Sequence, residues 1–159
     1  MNKLFTTLSI ILLSNTLVSQ TIADARNEAI GQTVTITGVA TNGSELGNIR
    51  YIQDGTAALP AYGSNLSSVQ RGDSISATGV LFEFSGLLEL SPTTGFTSFG
   101  QGSLPQPLII PITSATEALE AQLVRIDNVT FVQSGAFASG SSTVQITDGA
   151  NTLDVRING

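Results

Sequence analysis

The segment GQTVTITGVAT, residues 31–41, contains the pattern that decides the fold. Val34 and Ile36 alternate with threonines, and this period of two in β-branched residues predicts a strand with one buried face. Gly38 interrupts the alternation, and the apolar phase moves by one residue to Val39. Because a glycine inside a strand often marks a bulge or a sharp bend, we expect the strand to bend there and join a second sheet neighbour.

A second segment, SISATGVL at residues 74–81, carries the same Thr-Gly-Val pattern. Two strands with a glycine at matching places are expected to be neighbours that bend together around one barrel. The alternative is a chance similarity between two threonine-rich strands. We favour the barrel.

Other strand signals surround these two segments. Strands are predicted at residues 33–41, 48–53, 57–62, 74–84 and 87–91, with a short helix at 64–70 and a hairpin at Asp54-Gly55. Five strands with a helix between the third and the fourth follow the order of an OB-fold, a five-stranded Greek-key barrel. The predicted fold class is therefore all-β, with an OB-fold barrel at residues 20–91 that begins with a short helix.

The composition changes after residue 91. Four of the five prolines lie between residues 91 and 112, which predicts a Pro/Gly-rich linker with a short helix over residues 92–121. A predicted strand over residues 123–132 then resembles the first strand of the barrel, and the segment TVQITDG at residues 143–149 resembles YIQDG at residues 51–55. Residues 122–159 predict a partial second OB-like β unit. Since its open sheet would expose an edge, we expect further sequence or a partner to complete it.

The N-terminus has the three-part pattern of a secretory signal peptide. Lys3 supplies the positive charge, the densest apolar part is at residues 8–13, and cleavage is predicted after Ser19 or Gln20. The alternative is a membrane-spanning helix, but the apolar run is shorter than the ~20 residues that a span needs. We therefore expect residues 1–19 to be removed and the mature chain, without a membrane span, to be extracellular, on the cell surface or periplasmic.

The composition argues against several functions. Only 11% of the residues are charged, and removing Lys3 with the leader leaves five arginines against twelve acidic residues, a net charge of −7. Because nucleic-acid affinity draws on Lys and Arg, this acidic chain is poorly equipped for tight binding. The chain has no Cys and no His, which excludes thiol nucleophiles, Ser-His-Asp triads and the usual zinc and haem ligands. We expect no enzymatic activity, no metal and no cofactor.

The candidate binding residues follow from the predicted fold. An OB-fold binds ligands across strands two and three and the nearby loops, and single-strand binders stack bases on aromatic side chains there. The ligand-binding candidates are Arg50, Tyr51, Gln53 and Tyr62. Phe82 and Phe84 are further aromatic candidates, although packing of the strand faces also explains them.

Acidic residues offer two other interpretations. Glu83 and Glu89 flank the predicted Ser85-Gly86 hairpin and could face each other as a general acid and base. A solvated pair on an outer face is the favoured interpretation. Asp54 could ligate calcium, but turn formation explains its Asp-Gly pair without a metal.

Several segments occur in a familiar order: GQTVTITGV at 31–39, YIQDG at 51–55, RGDSI at 71–75, TGV at 78–80 and FSGLLEL at 84–90. In this order they resemble the OB-fold domain found beside extracellular endonucleases of bacteria. They are also similar to OB-like modules in large secreted and cell-surface proteins of Bacteroidetes-type bacteria. The resemblance covers about residues 22–132 and implies the fold and a secreted setting. It implies no catalytic residue, because the nuclease chemistry of those proteins lies in a separate domain.

Two hypotheses for function remain. The first is a non-catalytic module that binds single-stranded nucleic acid, which the fold and the resemblance favour and the charge opposes. The second is a structural module, or one that binds a protein or a glycan, in a larger cell-surface protein. The sequence identifies neither the ligand nor the oligomeric state.

Overall fold

The computed structural model describes residues 20–137 and 140–158, so the predicted signal peptide lies outside the described residues. One short helix, α1 (Ile22–Arg26), precedes the strands. The strands are β1 (Thr33–Ala40), β2 (Ile49–Gln53), β3 (Ala58–Tyr62), β4 (Asp73–Phe84), β5 (Leu87–Gln101), β6 (Leu108–Ile109), β7 (Val124–Arg125), β8 (Thr130–Phe131), β9 (Ser142–Thr147) and β10 (Thr152–Ile157). Short 3₁₀ turns occupy Ser44–Leu46, Ser64–Ser68, Ile112–Ser114 and Glu117–Leu119. No helix in these two ranges is long and apolar enough to cross a membrane.

The first five strands form a closed barrel in the order β1-β2-β3-β5-β4. Strands β3 and β5 pair in parallel, and the other pairs are antiparallel. This order, with a 3₁₀ turn between β3 and β4, is that of a five-stranded OB-type barrel. The predicted all-β fold class is confirmed.

Gly38 marks the bend of β1, as predicted. Strand β1 pairs with β4 along Thr33 to Val39 and turns to β2 at Val39 and Ala40. A Cβ on Gly38 would lie 2.6 Å from the carbonyl oxygen of Gln53, so only glycine lets the two backbones approach this closely. The predicted shift of the apolar phase is wrong, because Ala40 is fully buried and Val39 only partly.

Strands β1 and β4 are neighbours, as their shared pattern predicted. Thr35 lies opposite Thr78, and their hydroxyl oxygens are 2.8 Å apart in a hydrogen bond. Gly79 lies at an irregularity in the β4–β5 pairing. Gly79 therefore marks an irregular place in the β4–β5 pairing, whereas Gly38 pairs regularly with Ile75 and lies just before β1 meets β2.

Helix α1 closes one end of the barrel core. Thr21 and Asp24 form a capping box at its start. Ile22 and Ala25 are fully buried in the same cluster as the inward side chains of the barrel. The carboxylate of Asp54 accepts a hydrogen bond of 2.9 Å from the backbone N–H of Ile22, so the β2–β3 turn holds the helix in place.

Strand β5 is longer than predicted. It was expected to end at residue 91, but it continues to Gln101 and pairs with the whole length of β4. Pro92 falls in the irregular part of the register, between the Leu81–Leu90 pair and the Gly79–Thr93 pair. Because a proline is tolerated at a bulge, this one does not end the strand, and the predicted linker starts with strand residues.

The C-terminal part contains a three-stranded sheet in the order β10-β9-β8 and a small parallel pair of β6 with β7. The single strand predicted over residues 123–132 is wrong: it divides into β7 and β8. Asn128 between them has a φ of 57°, a left-handed conformation that Asn tolerates and that interrupts an extended strand. The β9–β10 hairpin turns at Asp148, whose Oδ1 accepts hydrogen bonds from the N–H groups of Ala150 and Asn151.

Candidate functional site

An open groove of about 470 Å³ lies on the outer face of the barrel. It lies between the 3₁₀ turn that follows β1 and the β4–β5 hairpin, across the edges of β2 and β3. This is the side on which OB-folds bind their ligands. Its walls are Leu46, Ile49, Tyr62, Phe82, Phe84, Leu87, Glu89 and Ser91, and we call these residues the barrel groove.

Strand register places these side chains on one surface. Ile49 lies opposite Tyr62 in the β2–β3 pair. Phe84 lies opposite Leu87, and Phe82 lies opposite Glu89, in the β4–β5 pair. Side chains directly opposite each other in an antiparallel pair share one face. Each of these three pairs therefore contributes two neighbouring side chains to the barrel groove.

The aromatic members of the barrel groove face solvent. Tyr62 is 46% exposed, Phe82 is 44% exposed and Phe84 is 62% exposed. Packing of strand faces, the alternative interpretation for the two phenylalanines, leaves about half of each ring uncovered. Three exposed rings around one concave surface are typical of a binding site rather than a core.

Glu89 is the one carboxylate in the groove lining. It is only 6% exposed, and burial raises the pKa of its carboxyl group while the Ser91 hydroxyl opposes this rise. The expected solvated pair with Glu83 is wrong. Glu83 lies opposite Leu88 and Glu89 opposite Phe82, so the alternation of the strands puts the two carboxylates on opposite faces.

Arg50, a predicted ligand-binding residue, points into the barrel and is fully buried. Its guanidinium donates to the carbonyls of Val69 at 2.9 Å and of Gly47 and Ile49 at 2.8 Å. Gly47 lies in the connection before β2, Ile49 is the first residue of β2, and Val69 lies in the connection before β4. Arg50 therefore ties these connections together and offers no charge to the surface.

Tyr51 and Gln53 lie on the outer face of β2, but the chain itself covers them in part. The Gln53 side-chain oxygen accepts a hydrogen bond of 2.8 Å from the backbone N–H of Leu123. Tyr51 is half-buried in a second concavity that Leu123 also lines. Burial raises the pKa of the Tyr51 hydroxyl, and Glu89 and Glu120 add to this effect.

An ion pair holds that covering segment on the barrel. Arg26 of α1 contacts Glu120 at 2.9 Å and donates a second hydrogen bond to the carbonyl of Ala58. Of the four predicted site residues, only Tyr62 belongs to the barrel groove. Arg50 is inside the barrel, and Tyr51 and Gln53 lie beside the segment around Leu123.

Sequence reasoning did not select Glu89 as a ligand-binding residue, although a signal for it was present. The Ser85-Gly86 turn aligns Phe84 with Leu87, and a period of two from that pair places Glu89 beside Phe82. Leu46 and Ile49 carried no comparable signal, because their contact with the groove depends on how the barrel closes.

No group of three or more acidic side chains that could hold a metal ion occurs within residues 20–137 and 140–158. Asp54 serves its turn: its Oδ1 accepts hydrogen bonds from the backbone N–H groups of Thr56 and Ala57. Burial opposes ionisation of Asp54, but these bonds and the one from Ile22 keep its pKa below the usual range. The turn interpretation of the Asp54-Gly55 pair is confirmed.

Comparison with known proteins finds similarity among solved structures. No family model matches this chain, and no curated protein matches it. A solved structure described as the hypothetical protein ygiW from E. coli is similar, with 14% sequence identity and a TM-score of 0.42. The match covers 51% of this chain and 89% of that chain. The strand order of the barrel itself defines the fold.

Proposed function

We propose that this chain is a non-catalytic secreted interaction module whose barrel groove binds a basic, partly apolar segment of a partner protein. The observation that carries the proposal is Glu89, a nearly buried carboxylate that lines the same groove as three exposed aromatic rings. Among the residues that the structure describes, Glu89 has no ion-pair partner, and an unpaired carboxylate in an apolar setting is costly. A cation brought by a ligand would remove that cost.

The rest of the lining suits a Lys or Arg side chain. Phe82 lies directly opposite Glu89, and Tyr62 and Phe84 add two exposed rings. A cation near ring faces gains about 0.5–2 kcal/mol beyond its pairing with a carboxylate. The aliphatic stem of such a side chain would pack on Leu46 and Ile49, as long basic side chains do on apolar surfaces.

The overall charge favours the same partner. The sequence carries a formal net charge of −6, and a negative field accelerates encounter with a basic segment. Nucleic acid, the alternative ligand class, is disfavoured because no Lys or Arg lines the barrel groove and Glu89 would repel phosphates. Stacking on the rings alone would lack the cations that follow a phosphate backbone.

Fluorescence anisotropy with three labelled probes tests the proposal: an alternating Lys/Leu peptide, the matched Glu/Leu peptide, and single-stranded DNA. We expect the basic peptide to bind saturably, with an affinity that falls as salt rises. Glu89→Gln should weaken this binding about tenfold, since it removes the charge and keeps the shape. Glu83→Gln is the matched control, because it removes a charge from the other face of the same hairpin.

Binding of the DNA but not of the basic peptide would contradict the proposal in favour of a nucleic-acid module. Equal binding of the basic and the acidic peptide would show that Glu89 does not select a cation, which would also contradict the proposal. Phe84→Ala provides a second check, since losing an exposed ring should weaken the peptide complex without unfolding the barrel.

A further inference from the structure

Strand β10 (Thr152–Ile157) has one open edge. It pairs with β9 on one side, and no strand of the described ranges pairs with its other side. Exposed edges are normally blunted by charged side chains (above all lysine), by proline or by a bulge, because they can bind another strand. The two charged residues of β10, Asp154 and Arg156, have opposite signs, so they do not exclude a second copy of the same strand. The β10 sequence TLDVRI contains no proline or lysine, and its pairing with β9 has a regular register.

The backbone groups that face this edge can be identified. The carbonyl of Gln145 in β9 accepts a hydrogen bond of 2.9 Å from Val132, on the β8 side. Gln145 therefore does not exchange backbone bonds with Asp154, its partner in β10. Hydrogen-bonded and non-hydrogen-bonded residue pairs alternate along an antiparallel ladder. The N–H and C=O groups of Thr152, Asp154 and Arg156 therefore point to the open edge.

The open edge is self-complementary in charge. If two copies of β10 pair antiparallel about a two-fold axis at Val155, Asp154 of each copy lies opposite Arg156 of the other. Both residues present their backbone groups to the edge, so these pairs are also the hydrogen-bonded pairs. The next register in either direction that keeps the same backbone groups paired would place Asp154 opposite Asp154, or Arg156 opposite Arg156. Like charges directly opposite each other are destabilising.

The other face of β10 has matching apolar residues. Leu153, Val155 and Ile157 alternate with the charged positions and are half-buried. In the same register Val155 meets its own copy, and Leu153 meets Ile157. Their face continues to Phe131, which lies across β9 beside Ile146 and is 51% exposed.

Neither charged side chain has an ionic partner in the described part of the chain. Asp154 accepts a hydrogen bond of 2.9 Å from the Gln145 amide, and Arg156 donates one of 3.3 Å to the Thr143 hydroxyl. Both remain exposed. Pairing with a second copy would replace solvent contacts with two opposite-charge contacts.

We propose that β10 is a homodimer interface, in which two copies of this chain join their three-stranded sheets into one six-stranded sheet across a two-fold axis. The interface is isologous, so each copy supplies the same strand. This inference is independent of the ligand of the barrel groove.

Charge exchange tests the proposal in solution. Sedimentation equilibrium of the wild-type chain should show a monomer–dimer equilibrium. Asp154→Arg and Arg156→Asp should each weaken dimerisation by about tenfold or more, because each change creates two like-charge pairs per dimer. The double variant D154R/R156D should dimerise again, and an equimolar mixture of the two single variants should form heterodimers.

Glu117→Arg is the matched control for Asp154→Arg, since it makes the same charge change at an exposed site outside the sheet, and it should leave dimerisation unchanged. Circular dichroism of every variant shows whether the sheet is folded. A wild-type chain that stays monomeric at all concentrations overturns the proposal. Dimers that resist both single changes, or single variants that do not rescue each other, overturn it as well.

Discussion

Replacing Arg50 by methionine tests whether this buried guanidinium stabilises the barrel or serves a ligand. Methionine keeps much of the side-chain volume and removes every donor. The change removes hydrogen bonds of 2.8 to 2.9 Å to the carbonyls of Gly47, Ile49 and Val69. The Ile49 carbonyl keeps a second donor, the side-chain amide of Asn42 at 2.9 Å. A longer contact of 3.5 Å to Ser67 is lost too.

The expected loss follows from these contacts. A hydrogen bond to a charged group contributes about 1.5–3 kcal/mol, so three would give roughly 4.5 kcal/mol at the low end. Removing the buried charge also removes its desolvation cost, which offsets part of this sum. We expect the free energy of unfolding to fall by about 3 kcal/mol, or the melting temperature by about 9 °C for a chain of this size.

Urea denaturation followed by tyrosine fluorescence measures the free energy of unfolding of the barrel itself. The chain has no Trp and two Tyr, and both tyrosines lie in the barrel strands β2 and β3. Arg71→Met is the control, because Arg71 is exposed and donates one hydrogen bond of 3.1 Å to Thr41. It should cost less than about 1 kcal/mol. Equal, small losses for both variants would refute the structural role of Arg50.

Two further changes test the barrel. Glu89→Gln should stabilise it at neutral pH. Burial raises the folded-state pKa of Glu89, so the stability from its protonated form is lost as pH rises through that pKa. The stability gained by Glu89→Gln should vanish below the unfolded-state pKa of Glu89. Urea denaturation of both proteins across this pH range measures the difference, and a difference that does not change with pH would contradict this reasoning. Gly38→Ala should cost about 2 kcal/mol or more, because its Cβ would meet the Gln53 carbonyl. Gly95→Ala, with open space around its Cβ, should be nearly neutral in the same melts.

Local patterns were sufficient for most of the barrel. Alternating β-branched residues predicted β1 and β4. The glycines in these strands marked the close approach of β1 to β2 at Gly38 and the register shift at Gly79. These signals are readable because they depend on neighbours in the sequence. The end of β5 was missed for the opposite reason. A proline such as Pro92 is typical both of a linker and of a bulge within a strand. Only the pairing of β5 with β4 distinguishes these two cases.

The candidate site depended on the tertiary structure. The sequence placed Arg50, Tyr51, Gln53 and Tyr62 on the binding strands, but it did not show which face each side chain takes after closure. Closure buried Arg50 and brought the segment around Leu123 over Gln53.

The sequence by itself determined where the barrel strands lie along the chain, because the hydrophobic periodicity, β-branched residues and turn residues that mark a strand lie within a few positions of each other. The barrel groove and the burial of Glu89 were decided only by the tertiary structure. They arise where the loop after β1, β3 and the β4–β5 hairpin meet, and a contact between residues forty positions apart leaves no local pattern.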